Sequence, residues 1–545
     1  MVTTLGSSRL SVSCVLAFGL VLSWAGLLAP VPAMAEEVKV TSAFPTAAPQ
    51  ATYGLNVSIK GSGFKRGAAA AFYVTNTTDP GGVKVNSTTF KSSTELVANI
   101  DVAAGATLSK FDIKVMSGGR TGKGTELFSV VEKGTKCYTS PLPTDWSLVD
   151  TLNDPSDPEF SGEFGRAIAV DRYGTDAVVV AVGSRISGRV EVFLLDLAGH
   201  PWHHVSLTLA SGSESLRLAQ GDVNGDSLPD IVVGQEFLQS ASLFLAQVQN
   251  GTLGYGSAIP LTPPPGEDKA GFGTSVAIGD VDGDSIGEVV VGAPNAKVGS
   301  VTAAGKVFVF ESSGAFQRLV TRPVPKKSDY FGVSVAVGNV VGDLHADLIV
   351  GARGVDVGTS TDAGKVFAFP GPLGYGGSPV ELTRSVKGEG LGYRSTVGNV
   401  DADAYGDVVT VGYLKPPAVV FTGEVWSGQA ADFVLQPQAG LDLGFGTNIA
   451  AGDINGDYRD DVFVATPNAT DNFGTCANTG AAYVYVSDTG SLSNRVLLQP
   501  PDAAAGLYGW AVAAAPGPDL LLVGEPLRTL GTVNRAGQVY VYLAP

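Results

Sequence analysis

The chain has 545 residues, of which 71 are glycine and only 3 methionine, and its formal net charge is −17. The length exceeds one small domain, and abundant glycine with few helix formers argues for many strands joined by tight turns. The negative charge argues against nucleic acid or an anionic membrane as partner, because their phosphates would be repelled.

Residues 1–35 read as a signal peptide rather than as fold. Arg9 is the only charge before an apolar run at 15–28, and Ala33-Met34-Ala35 precedes Glu36 as a small-residue cleavage site. An uncleaved membrane anchor is the alternative. With the signal removed, the protein is expected to be secreted or held at a cell surface, monomeric, and without stable membrane insertion. Cys137 and Cys476 then remain, which in an exported protein suggests one disulfide, or else two separate buried thiols. Glycosylation sequons stand at Asn56, Asn76, Asn86, Asn250 and Asn468.

Residues 36–132 form the first expected domain. Short alternating runs at Leu55, Ala70, Glu95, Phe111 and Glu126 are separated by turn residues, which predicts a small immunoglobulin-like β-sandwich. The Pro45 turn, the element Gly61-Ser62-Gly63-Phe64 and the closing run Phe128-Ser129-Val130 resemble the IPT/TIG family. That resemblance implies a domain that spaces or docks others rather than one that catalyses. Residues 133–145, with Gly134, Pro141 and Pro143, read as a linker.

Residues 146–545 repeat. Units open at Phe164, a degenerate Ser215-Leu216, Phe272, Phe331, Leu391, Phe445 and Tyr508, which is seven units. A four-strand unit at this period predicts an all-β, seven-bladed β-propeller, in which stacking buries each sheet between its neighbours. The last unit lacks an outer strand. Residues 146–152 are expected to supply it by pairing near 539–543 and so close the ring.

Five units carry a nine-residue acidic loop between two strand-like runs. Oxygen side chains recur at positions 1, 3, 5 and 9. They are Asp222, Asn224, Asp226 and Asp230; Asp280, Asp282, Asp284 and Glu288; Asn339, Asp343 and Asp347; Asn399, Asp401, Asp403 and Asp407; and Asp453, Asn455, Asp457 and Asp461. Hard oxygens converging from a tight turn suit Ca2+, which takes 6–8 of them. Four to five structural calcium ions are expected, tightest at the Asp280 loop and weakest at the Asn339 loop, where Val341 replaces a ligand. Glycine at position 4 lets the chain reverse, and Ala402 breaks that pattern.

With Phe272-Gly273 and Val291-Gly292-Ala293-Pro294, these loops resemble the FG-GAP repeat family, the propeller of integrin α subunits. The resemblance implies calcium hairpins on one face and partner contacts on the opposite face or rim. Units 1 and 7 depart from it, reading VDRYGTDA at Val170 and AAPGPDLL at Ala514.

His200, His203 and His204 form a cluster that could hold a transition metal or simply cap a solvated hairpin. No catalytic constellation stands out, so the chain does not read as an enzyme. The expected function is a calcium-stabilised binding or adhesion protein that recognises an extracellular protein or glycan through propeller loops. The long insertions 295–305, 353–364, 468–480 and 525–537 are the candidate contacts. A carbohydrate-binding, lectin-like propeller is the alternative, and an extracellular glycan lyase or phospholipase-type enzyme a third.

Overall fold

A computed structural model describes residues 37–131 and 146–544, apart from 45–46, 51, 156–161, 186–187, 210–214, 343–344, 374–377, 414, 424, 426, 438–443, 470–478, 489–490, 501–505, 516–519, 531–532 and 534. The signal peptide, the linker and both Cys137 and Cys476 therefore lie outside the described residues. Among the described residues the only helical element is one 3-10 turn, Glu236–Leu238.

The N-terminal unit is a pair of four-stranded sheets over one core. Strand Glu95–Val102 shows the cause, since its Leu96, Ala98, Ile100 and Val102 all point inward at every second residue. Phe128 meets Phe72 and Phe111 edge-on, at 5.1 and 6.4 Å between ring centres. Val83–Ser92 is a strand that hydrophobic alternation does not reveal. It pairs along Glu95–Val102 at the edge of its sheet; Val83 is buried and Val85 and Phe90 pack on the core, but register shifts between Val85 and Ser87 and between Phe90 and Ser92 break the alternation.

The repeat region forms seven four-stranded antiparallel sheets. The third is representative: Ser275–Gly279, Glu288–Ala293, Lys306–Phe310 and Phe316–Val320 pair in chain order. Its second strand is buried at every position, as are those of the other six sheets. Sheets packed on both faces explain why these runs are continuously apolar rather than alternating. The opening aromatic fills the space between neighbours: Phe331 shares a buried cluster with Val290 and Val307 of one sheet and Val350 and Phe367 of the next. The second sheet takes Ile259–Leu261 as its fourth strand, with a hairpin of Ala246–Gln249 and Thr252–Tyr255 inserted before it.

The seventh sheet joins the two ends of the repeat region. Ser147–Leu152 pairs with Gln538–Leu543, from Leu152↔Val539 to Ser147↔Leu543. Trp146 packs in the same cluster as Tyr508, Tyr540 and Tyr542, and the Tyr508 hydroxyl donates to that of Tyr542 at 2.8 Å.

A second glycine matters as much as the one beside each aromatic. Gly305, Gly364, Gly480 and Gly537 end the long insertions and form parallel bridges to Phe331, Leu391, Tyr508 and Phe164. The last of these bridges links the seventh sheet to the first. Each has φ between +79° and +87°, and a Cβ there would stand 2.0–2.2 Å from the backbone of the bridged residue. The first strands of all seven sheets line one central cavity of about 320 Å3.

Candidate metal centre

The five acidic loops each join the first strand to the second, in the second to sixth sheets. They therefore share one end of the sheets. Position 1 organises the turn where it is aspartate: Asp280 accepts from the N–H groups of Gly283 and Ser285 at 2.6 and 2.8 Å, and Asp453 from those of Gly456 and Tyr458 at 2.8 Å each. Position 5 tightens it, with Asp284 accepting from Ile286 at 2.8 Å and Asp403 from Tyr405 at 2.7 Å. At position 4, Gly225, Gly283, Gly342 and Gly456 have φ from +73° to +87°. Ala402 takes φ +58° in the same slot, so the fourth loop keeps its path at a cost of about 1–2 kcal/mol for a non-glycine residue.

Position 9 does more than the sequence pattern conveyed. Asp230, Asp347, Asp407 and Asp461 are wholly buried, and each uses both oxygens to accept backbone N–H groups. Asp407, for example, accepts from Val400 at 2.6 Å and Gly423 at 2.8 Å. These aspartates pin the loop to the end of the third strand or the residues just after it. Glu288 differs by one methylene. It accepts from Val281 at 2.9 Å and still reaches Asp280 and Asp282, so that ligand oxygens of the three lie within 4.8 Å of one another. Among the described residues this is the one such grouping of three or more metal-ligating side chains. Three hard carboxylates at one point fit a hard divalent cation.

Asp284 stands outside that group, and Asp343 lies outside the described residues. In the fourth loop, Asn399 Oδ1 is buried without a hydrogen-bond partner, while its amide donates to the Asp403 carbonyl at 2.9 Å. That leaves an oxygen suited to a cation. Two residues outside the 1, 3, 5, 9 pattern also take part. Asp460 accepts from the Asn399 N–H at 2.8 Å, clasping neighbouring loops, and the Gln317 amide donates to Asp282 at 2.8 Å. Neither follows from spacing, because both bonds cross between elements distant in sequence.

Burial raises the pinned carboxyls, Asp230 to about 6 and Glu288, Asp407 and Asp461 to about 7, with neighbouring loop carboxylates adding to the rise. Their values in the unfolded chain are the ordinary ones near 3.8 to 4.5. The folded state without cation therefore holds extra protons between about pH 4 and 7, and stability falls as pH rises through that window. In chelator, Tm should drop by roughly 5–10 °C between pH 5 and 8, and saturating calcium should flatten the slope. A flat profile in chelator, followed by calorimetry, would contradict this.

The histidines do not converge. His200 faces Asp150 at 3.5 Å, His203 the Leu253 carbonyl at 3.1 Å, and His204 Nε2 the buried Glu191 at 2.5 Å. Ser206 Oγ also bonds Glu191, at 2.6 Å, and approaches the same His204 Nε2. One ring nitrogen thus faces both acid and hydroxyl, which is not the two-nitrogen geometry of a proton relay.

An FG-GAP repeat model matches residues 272–310 and 445–486. Integrin alpha-IIb of Homo sapiens is 32% identical over 190 residues, covering 33% of this chain and 18% of that protein. Integrin alpha-7 of Rattus norvegicus is 27% identical over 239 residues, covering 42% and 18%. The chain thus spans about a fifth of the length of these curated relatives. A solved structure described as the Dos1 propeller covers 93% of the chain and 95% of its own, at a TM-score of 0.38 and 10% identity. The chain is accordingly an all-β protein among its described residues, with FG-GAP repeats at 272–310 and 445–486 and similarity to integrin α chains over part of its length.

Proposed function

We propose that this protein is a calcium-stabilised binding or adhesion protein that works outside the cell and recognises a protein or glycan through propeller loops. Its similarity to integrin α chains across the FG-GAP repeats carries this reading. In it the seven sheets are the blades of one ring, residues 36–132 form an IPT/TIG-like spacer, and residues 1–35 direct export. Among the described residues no helix is long and apolar enough to cross a membrane. The cations are structural: protein carboxylates and backbone surround the loops, and their role is to offset repulsion among acids that the turn forces together.

Four to five calcium ions are assigned to the loops, tightest where Asp280, Asp282 and Glu288 converge and weakest at the Asn339 loop. Asp280→Asn should therefore remove more of the calcium-dependent rise in Tm than Asn339→Ala, measured by calorimetry across a calcium titration. Equal losses would refute the ranking. The binding role is tested by pull-down with the tagged chain from native extracellular material, in calcium and in chelator. A partner retained only in calcium supports the reading. Identical profiles, or none above a control propeller, would count against it.

A further inference from the structure

The end of the central cavity opposite the acidic loops is built from arginine and aromatic side chains. Arg166 follows Phe164 by two residues, Arg217 is the second residue of Leu216–Gly221, and Arg394 opens Arg394–Gly398. All three stand where the first strands begin. Arg217 and Arg394 lie about 13–16 Å from the acidic-loop end at the rise of an extended strand. They come from three different sheets and meet near the axis. Arg217 and Arg394 line three spaces in common, of about 320, 200 and 200 Å3, and Arg353 borders the last of these.

These cations are poorly neutralised. Arg166 pairs with buried Glu163 at 2.8 Å. Among the described residues Arg217 donates to the adjacent Leu216 carbonyl at 2.9 Å, and Arg394 to the Tyr393 carbonyl and hydroxyl at 3.0 and 3.4 Å. Among the described residues no carboxylate forms an ion pair with Arg217, Arg353 or Arg394. Glu236 also borders this end but bonds Ser215 Oγ, at 3.4 Å. Desolvation lowers Arg217 to about 10, with repulsion from Arg394 and Arg166 adding to the fall and Tyr393 and Glu236 opposing it. Concentrating cations here, in a chain of net charge −17, costs folding free energy that an anion would offset.

The guanidinium groups are also held in place. Arg166 stacks over Trp510 at 4.2 Å, Arg394 over Tyr393 at 4.2 Å, and Arg353 lies against Tyr330 and Tyr413 at 4.1 and 4.6 Å. A ring contact does not consume N–H donors, and a guanidinium has five of them against the one or two that Arg217 and Arg394 use here, so donors remain for an anion. We propose that this mouth of the cavity, centred on Arg217 and Arg394, is a binding site for a small carboxylate ligand.

The carboxylate follows from the fork, which it matches with two parallel hydrogen bonds. The small size follows from the space, since 200 Å3 holds about seven waters at roughly 30 Å3 each. The protein's net charge repels polyanions at long range more than a short acid. This site stands independently of any partner bound by the rim loops.

The test is calorimetry and Trp fluorescence of the full chain in calcium, titrated with succinate at constant ionic strength. One saturable site per chain is expected, with a change in Trp510 emission. Arg217→Gln and Arg394→Gln should each weaken binding by about tenfold or more, with Tm unchanged or raised by relief of repulsion. Arg217→Lys keeps the charge and loses the fork, and should weaken binding while the protein stays folded. Arg318→Gln, on the outer strand of the third sheet, should change nothing. No saturation up to about 10 mM succinate would overturn the proposal. So would equal affinity in the Arg217 and Arg394 variants, or tighter binding of sulfate than of succinate.

Discussion

A chain that starts at residue 156 will not hold the native repeat region, whereas one that starts at residue 146 will. The difference is one strand. Ser147–Leu152 covers the outer edge of Gln538–Leu543, and Trp146 and Leu152 are 7% and 2% exposed. Its removal strips a hydrogen-bonded ladder and two apolar anchors from a sheet whose Tyr540 and Tyr542 are buried. Burial of two large apolar side chains and about five ladder contacts together contribute about 5–10 kcal/mol. That is comparable with the whole stability of a typical domain. It also leaves a bare strand edge, an invitation to aggregate. Circular dichroism melts and gel filtration should show lost cooperativity or large assemblies for the shorter chain. Matching melts for the two chains would mean that the strand does not close the ring.

Gly305→Ala should destabilise the protein by about 3–5 kcal/mol, near the top of the range for single substitutions. The new Cβ would lie 2.0, 2.5 and 2.7 Å from the carbonyl oxygen, nitrogen and carbonyl carbon of Phe331, all backbone atoms that cannot rotate away. The neighbouring sheet would have to move, and Phe331 sits in the cluster that joins the two sheets. Gly299 in the same insertion is the internal control. It also has positive φ, +58°, but no atom lies within 4 Å of its Cβ position. Gly299→Ala should therefore cost only the conformational penalty of about 1–2 kcal/mol. Chemical denaturation of both variants separates contact from backbone preference. Equal losses would show that φ alone makes these glycines necessary.

Much of the architecture was legible because its causes are local and periodic. The run Glu288–Ala293 announces a strand packed on both faces, and aromatic-Gly pairs stand at or just before the start of five of the seven sheets, with Leu216 and Leu391 in that place in the other two. The acidic turns were equally visible, since Asp at position 1 and Gly at position 4 are demands of a tight reversal. Val83–Ser92 was not legible, because two register shifts break its alternation and polar residues separate Val83 and Val85 from Phe90, the side chains that reach the core. Nor was the dual character of position 9: whether that carboxylate pins backbone or faces its fellow acids depends on one methylene and on the end of a strand far along the chain.

Fold class, repeat and the placing of acids in turns can be read along the chain, because strand period, turn chemistry and ligand spacing are all written within a few residues. Tertiary structure alone decided which carboxylates meet and which glycines carry another backbone. It also decided that Arg166, Arg217 and Arg394 gather at one mouth of the cavity. Those are convergences of segments from different sheets, and no local pattern encodes the distance between them.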